Sequence, residues 1–394
     1  TKEEDTLDGW FDSGSTHFAA MKKDQGFWPA TMYLEGLDQY RGWFQSSLLT
    51  AVGAFGEGAP FKECVTHGWT VDGEGRAMHK SLGNGVDPAD IFNENGADIL
   101  RLWAASADYH ADVRCSKAIF QQLSQNYLKF RNTCKFMLDN LVDFDPAHLT
   151  KAEDMPVLDR WLITKLNELI EKVGQSYNDY EFHIITHAVN DFCVTTLSSF
   201  YLDIVKDRLY CEAADSAERR SAQTALYLTL STLAKLFAPI LAFTCDEIWL
   251  AMPHTAEDDA RNVVLNDMNK PFTAYALDAE TMARWERIIE VRTAVNGALE
   301  EARAAKVIGK SLEADVHLTV PEGDVFLADE NPAALADLFI VSKVELTVGG
   351  ELAVKVENAA GTKCPRCWKH SLMPDAEGLC PRCAEVVRHL PDLL

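Results

Sequence analysis

Two C-x-x-C motifs near the end of the chain restrict its fold more than any other feature of the sequence. Cys364 and Cys367 form the first motif, Cys380 and Cys383 form the second, and twelve residues lie between them. Each motif presents two thiols to one side, and four thiolates can close a tetrahedral shell around a single ion. Because so short a tail buries little apolar core, metal binding would supply the folding free energy that it lacks. The spacing therefore predicts a C-terminal ribbon with one structural zinc ion, in preference to two redox-active cysteine pairs.

The tail that carries these cysteines differs in charge from the rest of the chain. The whole chain has 37 Lys and Arg against 60 Asp and Glu, a net charge of −23, which argues against coating nucleic acid through bulk electrostatics. Residues 360–394 are locally basic, with five basic side chains: Lys363, Arg366, Lys369, Arg382 and Arg388. Two interpretations stay open. Either these residues and Trp368 touch RNA phosphate and a base, or they form a solvated surface around a core tryptophan.

Residues from about 121 to 252 show the periodicity of helices. Apolar side chains recur at helical spacing over 158–173, and 191–209 and 222–250 behave in the same way. Several such segments in sequence predict a helix bundle. The most apolar part of the last segment contains three charged side chains, which make it a poor membrane span. Pro239 is expected to kink or break this helix.

The regions on either side of the helices contain strand patterns. Residues 1–120 mix short β-rich runs with glycine-bearing loops, which is typical of an α/β segment. A helix with Trp285 on its apolar face precedes the alternation of 312–320, which has the period of a half-buried strand. Two more strands are expected within 339–348 and 351–356, so this region reads as a small α+β unit.

Two motifs in the first region carry side chains suited to ligand binding. The glycine-rich loop 71–84 contains Lys80 and Ser81, and an ammonium group there would stabilise charge on a departing pyrophosphate. Such a loop is more often a plain surface loop. Trp10 and Trp43 are each flanked by carboxylates and could wall an apolar pocket with an amine held at its mouth. The alternative is that both tryptophans are core residues.

These motifs occur together and in a fixed order. WFDSGSTH begins at Trp10, YLEGLDQYRGWF at Tyr33, DGEGRAMHKSLGN at Asp72 and GADILRLW at Gly96. In this order they resemble the second half of the catalytic domain of class I aminoacyl-tRNA synthetases. The stretch LDRWLITKL resembles the anticodon-binding bundle of the family, and CPRCW…CPRC resembles the zinc-bearing tail of its bacterial-type isoleucine enzymes. Valine and leucine relatives share the general plan and remain an alternative.

The resemblance implies a multidomain fold class with four parts. It implies a partial α/β Rossmann-type catalytic domain over 1–120, an α-helical anticodon-binding bundle over 121–275, a small α+β junction domain over 276–358 and a zinc ribbon over 359–394. Because the motifs begin so soon after Thr1, we expect the chain to be the C-terminal portion of a longer enzyme. A half sheet leaves an unpaired edge, so 1–120 is expected to be the least stable region.

The resemblance also implies roles for individual residues. The side chains expected to pack the amino-acid substrate and hold its adenylate, including the ammonium group, are Trp10, Glu35, Asp38, Gln39 and Trp43. Those expected to bind ATP are Met78, His79, Lys80 and Ser81, and Lys80 is similar to the second, catalytic lysine of the KMSKS signature. The first lysine and first serine of that signature are replaced by Ala77 and His79. We therefore hypothesise that Arg76 supplies the missing cation and that His79 donates a hydrogen bond.

The implied activity is ATP-dependent conversion of isoleucine to isoleucyl-adenylate, followed by transfer to the 3′ end of tRNA(Ile). The implied partners are tRNA(Ile), isoleucine and ATP with Mg²⁺, and zinc is the implied structural ion. In-line attack on the α-phosphate needs positioning and charge stabilisation, so no general base is assigned, and His17 and His67 are expected to be structural. The HIGH signature and the editing insertion do not occur in this sequence, so we expect these residues alone to be inactive.

A different class of function remains as the alternative. The altered signature and the missing HIGH sequence are also compatible with a stand-alone tRNA- or RNA-binding module that keeps a degenerate synthetase remnant. No signal peptide is visible, and the six scattered cysteines are expected to be reduced and mostly buried, as in a cytoplasmic protein. The whole enzyme is expected to be a monomer.

Overall fold

The structure is a computed structural model that describes residues 2–56, 58–328 and 331–390. It divides into two compact units. The first unit contains residues 1–125 and 181–183, and the second contains 126–180 and 184–394. Within the described ranges, none of the helices combines the length and the apolar character that crossing a membrane requires.

The first unit is an α/β arrangement with two parallel strand pairs. Its strands are β1 (Ala30–Gly36), β2 (Phe61–His67), β3 (Thr70–Val71) and β4 (Val113–Arg114). Its α-helices are α1 (Gly9–Gly14), α2 (Trp43–Leu49), α3 (Pro88–Asn95) and α4 (Ala97–Ser106), and π-helical turns cover His17–Gln25 and Thr50–Ala54. β1 pairs with β2 and β3 with β4, both in parallel, and helical segments connect the paired strands. Parallel pairs joined by helices are the signature of α/β folds, so the α/β prediction is confirmed.

The second unit begins with a helix bundle. Its helices are α5 (Lys117–Asp139), which starts in the first unit, α6 (Val157–Asn178), α7 (Phe182–Asp191), α8 (Leu202–Cys211), α9 (Ala217–Phe237) and α10 (Ala242–Ala251). The π-helical segment Phe192–Tyr201 joins α7 to α8 without a break. The predicted interruption at Pro239 is confirmed, because α9 ends before it and α10 begins after it.

One buried carboxylate links three helices of the bundle. Asp159 on α6 accepts hydrogen bonds from the Tyr201 hydroxyl at 2.8 Å and the Ser221 hydroxyl at 2.5 Å. Arg208 on α8 donates to the same carboxylate at 3.2 Å. Burial raises the pKa of Asp159, although these donors oppose that shift. The bundle core therefore contains a satisfied polar centre within an otherwise apolar interior.

A small α+β part follows the bundle, as predicted. It contains α11 (Ala279–Ala304), β5 (Ala314–Val320), α12 (Pro332–Phe339), β6 (Lys343–Val348) and β7 (Ala353–Asn358). β5 is the central strand, parallel to β6 and antiparallel to β7, and its side chains alternate between buried and half-buried.

The boundaries of three predicted strands in this part are wrong. The strand expected within 351–356 begins at Ala353 and continues to Asn358. Leu312 lies in a 3-10 turn, so β5 begins only at Ala314. Phe339 ends α12 because Asn331 and Pro332 start a helix that continues to that residue. Ile340 closes the helix with a φ of 57°.

The last part is a small ribbon. It consists of the two-residue strands β8 (Thr362–Lys363) and β9 (His370–Ser371), which pair antiparallel, and of α13 (Pro381–Arg388). Pro381 occupies the first turn of α13, where a missing N–H costs nothing.

Candidate functional site

The carboxyl ends of β1 and β2 lie side by side, and polar side chains gather there around Gly36. In the register of the two strands, Glu35 pairs with Thr66 and Gly36 with His67. Glu35 Oε1 accepts a hydrogen bond from the Gly36 N–H at 2.9 Å and lies 3.7 Å from His67 Nε2. A Cβ on Gly36 would lie 2.6 Å from Asp38 Oδ1, so the glycine permits that carboxylate to approach the strand. Ligands of open α/β sheets bind beyond the carboxyl ends of the strands, which makes this edge a candidate binding site.

A second group of predicted residues meets around Gly42. Gln39 Oε1 accepts a hydrogen bond from the Trp43 N–H at 2.9 Å, at the start of α2. Trp43 Nε1 donates to the carbonyl of Ser13 at 3.1 Å. A Cβ on Gly42 would lie 2.6 Å from Gln39 Oε1 and 3.1 Å from the Trp10 ring, so a larger residue would displace both. The structure therefore brings Trp10 next to Gln39 and Trp43, which lie about thirty residues later in the sequence.

The two tryptophans differ in burial. Trp43 stacks on the buried ring of Tyr33 with centroids 4.3 Å apart, so one of its faces belongs to the local core. Trp10 is 49% exposed and offers an open ring. Glu35 and Asp38 lie on the segment that leads to this group, and the Glu35 side chain is 50% exposed. Exposed carboxylates near an open indole can attract an ammonium group and cover an apolar side chain.

One carboxylate organises the glycine-rich loop that follows β3. Asp72 Oδ1 accepts from the backbone N–H groups of Glu74 and Arg76 at 3.0 and 2.9 Å. Asp72 Oδ2 accepts from Arg76 Nε and from Asn84 Nδ2, each at 2.9 Å. The turn passes through Gly75 at a φ of 85°, a conformation that glycine adopts without strain. The hydrogen bonds, led by the backbone N–H of Arg76 and the Asn84 amide, hold the pKa of Asp72 well below its usual range.

Asn84 links the Asp72 carboxylate to the backbone of the following residues through hydrogen bonds. Its Oδ1 accepts from the His79 N–H at 2.9 Å, and its Nδ2 also donates to the Ala77 carbonyl at 3.1 Å. The segment with the predicted ATP-binding residues therefore has a defined backbone. Met78 is half-buried, His79 and Ser81 are exposed, and Lys80 begins the 3-10 turn Lys80–Leu82 with a side chain that lies outside the described part of the structure.

Arg76 already has two anionic partners. Its Nε lies 2.9 Å from Asp72 Oδ2, and its Nη1 lies 3.1 Å from Glu74 Oε2. The hydrogen bond to Asp72 and the charges of both carboxylates raise the pKa of Arg76. A polyphosphate would have to compete with these carboxylates for the guanidinium, which disfavours Arg76 as the substitute for the missing signature lysine.

The two histidines near the motifs have structural partners. His17 is buried, its Nε2 lies 3.1 Å from Thr50 Oγ1, and its Nδ1 accepts from Trp28 Nε1 at 3.4 Å. His67 Nδ1 lies 2.8 Å from the carbonyl of Gly68, which places the proton of a neutral ring on Nδ1. These contacts agree with the structural role expected from the sequence.

The four predicted metal ligands converge in the ribbon. The Sγ atoms of Cys364, Cys367, Cys380 and Cys383 all lie within 4.8 Å of one another, and those of Cys367 and Cys380 are 3.7 Å apart. A tetrahedral ion with metal–sulfur bonds of about 2.3 Å places its sulfurs about 3.8 Å apart. Three of the four are buried and Cys380 is half-buried. The thiols therefore fit a closed tetrahedral site, which suits a structural ion.

Backbone N–H groups favour the thiolate form of one of the four cysteines, Cys364. Burial alone would raise the pKa of Cys364, but the N–H groups of Cys367, Cys380 and Arg366 outweigh it and lower that pKa to about 6. Burial raises the pKa of Cys367, and the neighbouring Cys383 and Cys380 add to that rise. Four thiolates this close repel one another, and a divalent cation relieves that repulsion.

The five basic side chains of the tail form ion pairs or hydrogen bonds with other groups of the protein. Four of them pair with carboxylates: Lys363 with Glu313, Lys369 with Asp337, Arg382 with Asp207 and Glu212, and Arg388 with Glu385. The fifth, Arg366, donates to backbone carbonyls at the end of α8. Trp368 is 53% exposed, so it is not a core residue, and Lys310 Nζ lies 5.3 Å from its ring centroid. RNA phosphate would therefore have to displace existing partners, whereas Trp368 is open to solvent.

Several residues of these sites were not singled out from the sequence. Asp72 and Asn84 fix the loop, and Asp and Asn around a glycine turn are a recognisable signal for such bonds. His67 was expected to be structural, and its approach to Glu35 was not foreseen because it depends on the pairing of β1 with β2. Cys211 joins the buried cluster of the ribbon cysteines from a helix more than 150 residues earlier, and no sequence pattern marks that contact.

Comparison with known proteins finds two family models that match successive parts of the chain. Residues 1–116 match the family described as tRNA synthetases class I (I, L, M and V), and residues 159–318 match the anticodon-binding domain of tRNA ligase. An isoleucine–tRNA ligase of Moorella thermoacetica is 48% identical over 99% of this chain and 44% of its own length. One from Syntrophotalea carbinolica is 47% identical over 98% of this chain and 43% of its own length. The chain thus spans less than half the length of the curated relatives it matches.

Solved structures support the fold. The ternary complex of a LeuRS with tRNA and LeuAMS from Agrobacterium radiobacter K84 aligns with a TM-score of 0.56 at 15% identity, over 91% of this chain and 37% of that one. Methionyl-tRNA synthetase of Mycobacterium tuberculosis in complex with methionyl-adenylate aligns with a TM-score of 0.50 at 19% identity, over 59% of this chain and 46% of that one. The fold, the ordered motifs and the relatives together show that the chain belongs to the isoleucine–tRNA ligase family of class I aminoacyl-tRNA synthetases.

Proposed function

We propose that the chain supplies amino-acid-binding and tRNA-binding parts of an enzyme that activates isoleucine with ATP and transfers it to the 3′ end of tRNA(Ile). The observation that carries the proposal is the segment from Glu35 to Trp43. It places two carboxylates at the carboxyl end of β1 and brings Gly42 against the open indole of Trp10, in a chain similar to isoleucine–tRNA ligases over almost its full length. The similarity to isoleucine enzymes favours this specificity over a valine or leucine substrate.

The side chains around Gly36 and Gly42 would hold the amino acid and its adenylate. Glu35 and Asp38 would bind the ammonium group, since each presents a carboxylate at the strand edge. Trp10 would cover the apolar side chain with its open ring, and Trp43 would support it from the core. Gln39, whose oxygen is bound to the start of α2, would present its amide nitrogen to the adenylate.

The loop from Met78 to Ser81 would bind the triphosphate of ATP, which enters with Mg²⁺. Lys80 would stabilise the charge that develops on the departing pyrophosphate, with Ser81 and His79 as hydrogen-bond donors. The carboxylate of isoleucine attacks the α-phosphate in line and pyrophosphate leaves. This step needs positioning and charge stabilisation, and no general base has to be assigned.

The remaining parts would serve tRNA and structure. We assign the helix bundle, 121–275, to anticodon binding and 276–358 to a junction domain. The four cysteines would hold one zinc ion, since a closed tetrahedral S₄ shell suits zinc and leaves no position for substrate. The enzyme would act in the cytoplasm as a monomer.

Competition binding tests the tRNA specificity of the chain directly. Labelled isoleucine tRNA transcript is bound to the chain at moderate salt and displaced with unlabelled isoleucine or valine tRNA. We expect the isoleucine tRNA to compete better, because the bundle and the ribbon would read its anticodon. The comparison is repeated at two salt concentrations, since phosphate contacts alone weaken equally for both tRNAs as salt rises. Equal competition at both salts would contradict recognition by these parts.

A further inference from the structure

The third residue of each cysteine knuckle is an arginine, and both arginines contact the same end of one bundle helix. Arg382 donates from Nη1 and Nη2 to the two carboxylate oxygens of Asp207, at 2.5 and 2.8 Å. Its Nη1 also donates to Glu212 Oε1 at 2.8 Å. Asp207 lies on α8, and Glu212 is the residue that follows that helix. A two-pronged arginine–carboxylate pair fixes both position and orientation.

Arg366 contacts the backbone at the same place. It donates to the carbonyls of Tyr210, at 3.4 Å, and Cys211, which belong to the last turn of α8. These are carbonyls that a helix leaves without intrahelical partners, and a cation there also suits the helix dipole. Arg366 Nη1, which donates to the Cys211 carbonyl, also lies 3.7 Å from Cys383 Sγ. This guanidinium therefore contacts both the end of α8 and a proposed metal ligand.

Cys211 completes this contact. Its Sγ lies 3.8 Å from the carbonyl oxygen of Arg366, to which the thiol donates. The side chain is buried in one cluster with Cys364, Cys367 and Cys383.

We propose that Arg366 and Arg382 are positioning residues that dock the ribbon on α8, and that this docking and metal binding are coupled. The inference rests on the proposed four-cysteine metal site. Each arginine lies inside a C-x-x-C turn, so its direction is set by the two thiolates on either side of it. An ion that closes both turns orients both guanidinium groups toward the end of α8 at once. Docking in turn holds the turns in the geometry that the ion requires.

Such coupling is reciprocal. If docking strengthens metal binding, the metal must stabilise the docked state by the same factor. Arg366 also places positive charge beside a cluster of four thiolates, whose charge exceeds that of one divalent ion. Groups that orient metal ligands from outside the ligand shell change metal affinity by about 10–100-fold when they are substituted.

The main variant of the test alters the end of α8 and leaves the ribbon unchanged. Asp207→Asn combined with Glu212→Gln removes both carboxylates that hold Arg382. Zinc affinity is measured by competition with a chromogenic chelator, and we expect it to fall about 10–100-fold. The matched control is Glu385→Gln, which removes an exposed ribbon carboxylate whose described ion pairs are with Arg388 and His389 at the end of α13, and it should leave the affinity within twofold. Arg382→Lys is a second variant that keeps the charge without the planar fork, and it should give an intermediate loss.

Hydrogen exchange on α8 gives the reciprocal measurement. Removal of zinc from the unaltered chain should increase exchange at 207–212, and the double variant should exchange fast there with or without zinc. Unchanged zinc affinity in the double variant, with α8 protected equally in both metal states, would overturn the docking proposal alone. Failure of the unaltered chain to bind zinc would overturn the proposed metal site and the docking proposal together. Circular dichroism of the double variant confirms that the bundle is folded.

Discussion

The strand edge of the first unit and the core of the helix bundle use polar side chains in opposite ways. In the first unit, Glu35 and Trp10 are about half exposed, and nearby apolar side chains such as Leu34 and Leu49 are more than half exposed. In the second unit, Asp159 is fully buried and every one of its described partners is a donor from the same bundle. The polar groups at the strand edge are exposed and can contact a ligand, whereas Asp159 is hydrogen-bonded to other residues of the bundle. Substitution of Glu35 or Trp10 should therefore change ligand binding, and substitution of Asp159 should change stability.

The largest expected effect is on the ribbon. Cys383→Ser removes one of four ligands, and structural zinc in comparable sites contributes on the order of 10 kcal/mol to folding. We expect residues 362–390 to lose protection from hydrogen exchange while the bundle keeps its thermal transition. Cys64→Ser, at an exposed cysteine of the first unit, is the control. Protection of the ribbon that survives both Cys383→Ser and chelation would show that the core alone holds it.

Asp159 gives the next largest effect. Asp159→Ala removes the acceptor of the half-buried Arg208 and of the buried Tyr201 and Ser221 hydroxyls, and loss of one member of a buried pair costs about 3–5 kcal/mol. Urea unfolding followed by circular dichroism should show this loss in the second unit. A loss of less than about 1 kcal/mol would mean that water or another carboxylate replaces Asp159. It would contradict the expectation that this buried carboxylate stabilises the bundle.

Limited proteolysis compares the units without any substitution. Because the first unit exposes many large apolar side chains and its described sheets have only two strands each, we expect cleavage within 1–120 before cleavage within 150–250. Mass spectrometry of early fragments identifies the order. Protection of 1–120 beyond that of 150–250 would reverse the comparison.

The strand-edge carboxylates should affect binding and leave stability unchanged. In the enzyme that contains this unit, Glu35→Gln or Asp38→Asn should lower kcat/KM for isoleucine-dependent ATP–pyrophosphate exchange about 10–100-fold, the value of a charged hydrogen bond. Asp24→Asn, at an exposed carboxylate of the same unit, is the control. Equal exchange rates in all three variants would remove these residues from the ammonium site.

The sequence predicted features that depend on local periodicity and spacing. The helix of Trp285, the alternation of β5 and the four-cysteine cluster follow from such patterns and are confirmed. Contacts between distant segments carry no local signal. The approach of Cys211 to the ribbon is one example, and the placement of Asp38 over Gly36 depends on backbone geometry that composition does not encode. The family resemblance identified Asp38 as a site residue, but only the structure shows that a side chain at position 36 would clash with its carboxylate.

The smallest expected effect concerns a partly exposed ion pair of the second unit, between Asp143 and Arg219. Hydrogen bonds from Arg219 lower the pKa of Asp143 to about 2, with Gln223 and the charge of Arg220 assisting. An unfolded aspartate has a pKa of about 3.9, so the pair stabilises the folded state above that pH. The contribution is lost as pH falls from about 4 through about 2. Because the Asp143 side chain is 41% exposed, solvent screening reduces it to about 1 kcal/mol.

Asp143→Asn should therefore lower the free energy of unfolding by about 1 kcal/mol at pH 7, and the difference from the unaltered chain should shrink below pH 4. Urea unfolding at pH 7, 4 and 3 measures it. Asp139→Asn is the control, since its carboxylate pairs with Lys135 within one exposed helix turn and should contribute at most about 0.5 kcal/mol. A difference that persisted unchanged to pH 3 would assign the effect of Asp143 to packing. If Asp143→Asn lowered the free energy of unfolding as much as Asp159→Ala, the exposure of a polar side chain would not predict its contribution to stability.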